Sequence, residues 1–256
     1  MISALAHLTR LARAGSVLAR EGVFALVDPA PLPLPARTAL KAARLIERPT
    51  QAGAERRLAA ALTRLGPTYV KLGQFLATRP DVVGPAIARD LESLQDKMAP
   101  FPLREAEAVV AAALARPLDV AFVSFGPAVA AASIAQVHRA EIETPAGRKP
   151  VAVKVLRPGI EQRFRVDLDA FSYAAQRAEA MSAEARRLRL METVATLRRS
   201  VAIEMDLRLE APALSEMADN TKADPDFRVP AVDWDRTADV AAGTPRNAQI
   251  VPRRLV

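Results

Sequence analysis

The sequence predicts an α+β fold, with a helical front half followed by a mostly antiparallel sheet of short strands and long helices. Three observations predict it. Apolar residues recur at helical spacing through almost all of the first 115 positions. Three short segments at 121–125, 134–142 and 150–156 have the look of strands, and Thr144-Pro145-Ala146-Gly147 supplies the turn between the last two. Helical periodicity then returns from Arg163 to about Ala218.

Taken in order, Ile2, Leu5, Leu8, Leu11 and Ala12 mark one stripe of a first helix, with Arg10, Arg13 and Arg20 between them. That pattern suits a basic amphipathic helix lying on a membrane surface or docked on the chain's own body. It lacks the long apolar centre and cleavage site of a secretory signal. Residues 28–35 hold four prolines at alternating positions, which predicts an extended linker. Leu58, Ala61, Leu62 and Leu65 share a helical face that Gly66-Pro67 breaks. Pro67 then opens the next helix, which carries Tyr69, Leu72 and Leu76 and ends near Arg79-Pro80. Gly84-Pro85 starts another through Ile87, Leu91 and Leu94. Ala106, Val109, Val110, Ala113 and Leu114 mark the helix after it. Beyond the strands, Phe164, Leu168, Phe171 and Ala175 mark one long helix. Leu190, Val194, Leu197 and Val201 mark a second, the two meeting near 180–185. Residues 228–234 read as a fourth strand, and 242–256 lose all periodicity. These signals divide the chain into 1–35, a basic helix and linker; 36–115, helical; 116–240, sheet with long helices; and an irregular 241–256.

Composition narrows the chemistry. Half of the 256 residues are apolar and a quarter charged, as in a globular protein. No cysteine is present, which excludes disulfides, thiolate nucleophiles and Cys-ligated metals. His7 and His138 are the two histidines, too far apart for a local metal-ligand spacing. With 36 Lys+Arg against 29 Asp+Glu the formal charge is +7, which favours phosphates or anionic lipid as partners. Aromatics are 4% and do not interleave with basic residues, so specific nucleic-acid binding is not expected. No run reaches the roughly eighteen apolar residues of a membrane span.

The chemistry-bearing segment is Val151-Ala152-Val153-Lys154-Val155. Alternation puts the three valines on one face and Lys154 on the other. Val-Ala-Val-Lys has the form of the kinase strand whose lysine holds the nucleotide α/β-phosphates. Such a lysine needs a carboxylate from a following helix to fix its rotamer, and Glu204, Asp206 and Glu210 are available. Where a kinase carries a Gly-rich loop, this chain has Pro127-Ala128-Val129-Ala130-Ala131-Ala132-Ser133. Glycine lets backbone N–H groups approach phosphates closely. Alanine permits a similar approach with fewer backbone conformations.

Lys71-Leu72-Gly73-Gln74 matches a Lys-x-Gly-Gln signature, flanked by Leu65-Gly66-Pro67-Thr68-Tyr69-Val70, Thr78-Arg79-Pro80-Asp81 and Leu94-Gln95-Asp96. Together with Ala130-Ala131-Ala132-Ser133-Ile134-Ala135-Gln136-Val137-His138 and Glu204-Met205-Asp206, these motifs resemble the UbiB family over about residues 55–238. The resemblance implies a helical N-terminal extension followed by a protein-kinase-like N-lobe, here incomplete. It implies ATP or ADP as ligand, with Mg in intact relatives. Lys154 would contact the phosphates, Ala130, Ala131, Ala132 and Ser133 would cover them, and Lys71 and Gln74 would reach into the same pocket. Glu210 would pair with Lys154, and Glu204 with Asp206 would pair with Lys71, the exchange of the two being the alternative. Glu204 and Glu210, six apart, would face different ways on one helix. Pro212 is expected to kink or end that helix just beyond Glu210.

The family's His-containing catalytic loop has no counterpart, since no histidine follows His138. Neither Asn220 nor Asn247 has an aspartate five residues before it, as a kinase metal site needs. The chain therefore reads as a kinase-like protein cut short or shifted in frame near Ala238, without catalytic turnover of its own and lacking a fifth strand. The expected role is that of an ATP-binding relative of ubiquinone-biosynthesis proteins, cytoplasmic or peripheral at the inner membrane. The alternative is a non-enzymatic module binding anionic membrane lipid or quinone-biosynthesis enzymes.

Overall fold

The apolar spacing of the front half gives helices, and the alternating segments give strands. The structure is a computed structural model that describes residues 4–30, 34–48, 57–94, 98–234 and 248–252. In chain order its elements begin with helices α1 (Ala4–Arg20), α2 (Leu34–Leu45), α3 (Arg57–Leu65), α4 (Pro67–Ala77), α5 (Pro80–Val83), α6 (Pro85–Glu92), α7 (Leu103–Leu114) and α8 (Leu118–Ala121). Strands β1 (Ser124–Ala131), β2 (Ala135–Thr144) and β3 (Gly147–Leu156) follow. Helices α9 (Ile160–Met181), α10 (Ala183–Arg187), α11 (Leu190–Glu204) and α12 (Leu207–Asn220) and strand β4 (Ala248–Pro252) complete the order. The class is α+β. Two compact units form: Met1–Asp96 with Gln162–Arg199, and Lys97–Glu161 with Ser200–Val256.

In the first unit Ala59, Leu62 and Leu65 of α3 are buried with Leu91, Leu94 and Ala14. Leu58, Tyr69 and Leu76 pack around that cluster. Asp90 of α6 accepts the Leu58 N–H at 3.2 Å, which satisfies one of the donors left open at the start of α3. Gly66 has φ 107°, and Pro67 stands in the first turn of α4, as the Gly-Pro pair predicts. Asp167 of α9 is buried and bonded by two elements: Arg10 of α1 donates to it at 3.0 Å and Thr68 of α4 at 2.8 Å. A buried carboxylate without such partners would be strongly destabilising.

In the second unit the sheet order is β1-β2-β3-β4, each neighbour antiparallel. Val151, Val153 and Val155 share one face, all fully buried, with Ala140 and Ile142 of β2 and with Val110, Ala113, Ala121 and Phe122. Burying a side chain of that size contributes about 1.5–3 kcal/mol, so this face holds the unit together.

The structure corrects several expectations. Residues 28–35 are not wholly extended, because α2 already starts at Leu34. Pro35 falls in its first turn, where no intrahelical donor is missed, while Pro31 and Pro33 lie outside the described residues. Ala121 closes α8 rather than opening a strand, and β1 starts at Ser124. The helical stretch after the sheet is four helices, not two: short breaks follow Met181, Arg187 and Glu204. Pro212 lies inside α12 and does not end it. The break falls earlier, at Met205-Asp206, so Pro212 removes a single hydrogen bond from the second turn of a new helix. Residues 228–234 form no strand. The fourth strand comes instead from 248–252, inside the tail that shows no periodicity, where backbone pairing to the free edge of β3 decides the conformation.

Candidate functional site

The site starts from the two-residue period of β3. Its valines fill the core, so Lys154 must project from the opposite face. There Lys154 Nζ donates to Glu210 Oε1, from the first turn of α12. The two side chains retain 31% and 37% of their exposure. A pair this open contributes about 0–1 kcal/mol after solvent screening, so its value lies in fixing where the ammonium points. The expected pairing of Lys154 with Glu210 is the one the structure makes.

Register then brings the alanine-rich stretch to the same face. Val137 of β2 stands opposite Lys154, and Ala130 of β1 stands opposite Val137. Directly opposed residues of antiparallel strands project to the same side. Ala130 is exposed on that face, two strands away from the lysine. The stretch is not the loop that the sequence suggests, for Ala128 through Ala131 belong to β1 and the turn begins at Ala132. Small residues fit a strand as readily as a loop when their carbonyls and N–H groups find ladder partners. The Ala132 N–H is committed to the Ala135 carbonyl at 2.8 Å, and Ser133 is fully buried.

Arg157, which the motif reading passed over, ties this turn down. It donates to the Ala132 carbonyl through Nε at 3.0 Å and Nη2 at 2.8 Å, and to the Ala99 carbonyl at 2.9 Å. Its guanidinium also lies over the Phe101 ring, 5.7 Å from the centroid. The available signal was an arginine at the end of the lysine strand, directly before Pro158-Gly159. Asp167 was missed as well. It interrupts the apolar Phe164–Leu168–Phe171 stripe, and a carboxylate on a buried face needs a built partner set.

Glu204 and Glu210 do not share a helix, contrary to expectation, so no single helical period sets their relative direction. Glu204 is the last residue of α11, and Asp206 lies in the break before α12. Lys71 and Gln74 lie on α4 in the other unit, both half-buried and one turn apart. Gly73 between them is buried where α4 meets α3 and α6. Gln95 and Asp96 lie outside the described residues.

The lysine and its carboxylate place a positive charge on the open face of the sheet, on the side where Ala130 also projects. Among the described residues no group of three or more His, Asp or Glu side chains is placed to hold a metal ion.

Comparison with known proteins places the chain in a family. The ABC1 atypical kinase-like domain matches residues 93–240. A probable protein kinase UbiB of Marinobacter nauticus is 41% identical over 182 residues, covering 71% of this chain and 33% of that protein. The proteins of the same name from Xanthomonas euvesicatoria pv. vesicatoria and Azotobacter vinelandii are 40% identical over 188 residues and 39% identical over 180 residues. These matches cover 72% and 70% of this chain, and 34% and 33% of the respective relatives. The chain thus spans about a third of the length of the curated relatives it matches. With the kinase-like domain matching more than half of its length and these relatives about 40% identical over some 70% of it, the chain belongs to the UbiB family of ABC1 atypical kinase-like proteins.

Proposed function

We propose that this chain binds ATP or ADP through the open face of its sheet, with Lys154 on the phosphates. The observation that carries the reading is the Lys154–Glu210 pair on the face opposite the apolar core, the face on which Ala130 of β1 also lies. Glu210 holds the ammonium in place, and phosphate oxygens supply the charge-assisted acceptors that an ammonium favours. Magnesium, where bound, would neutralise phosphate charge. The whole protein's part in ubiquinone biosynthesis belongs to the same proposal and rests on family membership. Titration calorimetry with ATP and with ADP tests the reading. Lys154→Ala should abolish measurable binding and Glu210→Gln should weaken it about tenfold, the loss of one charge-assisted contact. Nucleotide binding unchanged in Lys154→Ala would overturn it.

A second reading has its own observation. Leu5 and Leu8 of α1 are 74% and 51% exposed, and Arg13 and, at the end of the helix, Arg20 are exposed too. An apolar stripe bordered by arginines is what an anionic membrane surface attracts. No helix among the described residues is long and apolar enough to cross a membrane.

A further inference from the structure

A buried imidazole reaches the alanine strand from the core side of the sheet. His138 and Gln136 of β2 are buried, and His138 Nδ1 lies 2.8 Å from the carbonyl oxygen of Gly126 in β1. A carbonyl oxygen can only accept, so Nδ1 carries the proton and Nε2 of the neutral ring is an acceptor. The Gln136 amide donates to it through Nε2 at 2.8 Å. The glutamine is fixed in turn, because Oε1 accepts the Phe101 N–H at 2.9 Å while Nε2 also donates to the Phe101 carbonyl at 3.3 Å. The Phe125 ring stacks on the imidazole, 4.8 Å between centroids. Burial holds the His138 pKa below its usual value, against the opposing pull of the Gly126 carbonyl and the Glu107 carboxylate. The neutral ring with both nitrogens occupied is the form this site is built for.

Gly126 sits where β1 leaves regular pairing. From Phe125 to Ala130 the strand advances five residues, while β2 advances three, from Ala140 to Val137, with irregularities on either side of Ala128. Surplus residues of this kind bend a strand and re-aim its side chains, and they recur beside functional sites. Left without an anchor, a bulged strand can shift its register, and a shift by one residue would turn Ala130 away from the Lys154 face.

We propose that His138 is a positioning residue for the phosphate face: by holding the Gly126 carbonyl it fixes the bulge in β1, and so sets Ala130 opposite Val137, on the face of the sheet that carries Lys154. The proposal rests on the nucleotide reading above and adds to it the group that holds the alanine strand in register. His138 touches no nucleotide in this arrangement, since it projects into the core.

The test compares the full 256-residue chain with His138→Asn, whose amide can still donate toward Gly126, and His138→Phe, which keeps bulk and ring stacking but no hydrogen bond. Hydrogen exchange without nucleotide reads the anchoring directly. In His138→Phe, exchange in β1 should rise about tenfold, the loss of one buried hydrogen bond, while β3 stays as in wild type; His138→Asn should restore most of the protection. ATP affinity by calorimetry should follow the same order, with His138→Phe about tenfold weaker. Three results overturn the proposal: β1 exchange unchanged in His138→Phe, β3 loosened as much as β1, or no rescue by His138→Asn. A wild-type chain that binds no ATP removes the nucleotide reading instead, and the exchange comparison then decides the anchoring by itself.

Discussion

Gly73 is the residue of the Lys-x-Gly-Gln motif whose role is steric. A Cβ built there would stand 2.3 Å from Leu94 Cδ1, 2.7 Å from Leu62 Cδ1 and 3.3 Å from Leu91 Cδ2. Leu62 of α3, Leu91 of α6 and Leu94 just beyond it cannot all retreat, so Gly73→Ala should destabilise the chain by about 1–3 kcal/mol, the usual range for overpacking. A thermal midpoint equal to wild type would refute this. Tyr69, four residues earlier, makes a prediction of a different kind. Burial first, and the nearby Asp167 carboxylate second, push its phenol up to about 12, against the weaker pull of Arg10, Arg13 and Arg163. The folded protein therefore keeps a proton that the unfolded chain gives up near pH 10. Stability should be unaffected by this group below that pH and should fall as pH rises from 10 toward 12. In Tyr173→Phe, where Tyr69 is the only tyrosine left, tyrosinate absorbance should appear near pH 12 in the folded protein. Appearance near pH 10 before unfolding would contradict it.

At the scale of elements, α1 shows an apolar pattern and its burial parting company. Periodicity marks Leu5, Leu8, Leu11 and Ala12 as the stripe that a docked helix would bury. The helix docks instead through its other side. Arg10 bonds Asp167, His7 stacks on Tyr173 with 5.5 Å between centroids, and Ala14 enters the α3 cluster. The buried charge of Asp167 selects the arginine face, which leaves Leu5, Leu8 and Ala12 exposed. Flotation with anionic liposomes should therefore recover the chain, less so at high salt, where screening shortens the reach of the arginines. Leu5→Ser combined with Leu8→Ser should reduce recovery severalfold, since each leucine contributes apolar area to the membrane face. Equal recovery with and without those side chains would eliminate α1 as the contact. Helix α12 shows the reverse relation. Its proline was legible but its consequence was not, because the position of the break at Met205-Asp206 depends on how the chain packs around it.

For the whole molecule, the edge of the sheet is the sensitive part. Strand β4 covers β3 along Val151–Val155, with Gln249 opposite Lys154 in the backbone register. Removing residues 248–256 should expose a row of donors and acceptors on β3, speed exchange across it, and promote aggregation; a shortened chain that stays monomeric with β3 still protected would disprove the pairing. This strand marks a limit of sequence reading. The order of helices in the front half, the turn between β2 and β3, the valine face of β3 and the lysine opposite it all follow from local spacing, because period and turn chemistry act within a few residues. Lys154 and Glu210 are both legible in the sequence, and the family resemblance implies their pairing. What local spacing could not supply were relations between distant segments. The residues 228–234 carry a strand's composition yet find no edge to pair with, whereas 248–252, without any periodicity, pair with β3. The alanine stretch became strand rather than loop because β2 offers it ladder partners. Asp167 gathers Arg10 and Thr68 from helices far apart in the chain. Local composition and spacing fix which residues can form each face. Which faces meet is settled at long range, since strand pairing, buried-charge satisfaction and helix breaks are set by free energies summed over contacts between segments remote in sequence.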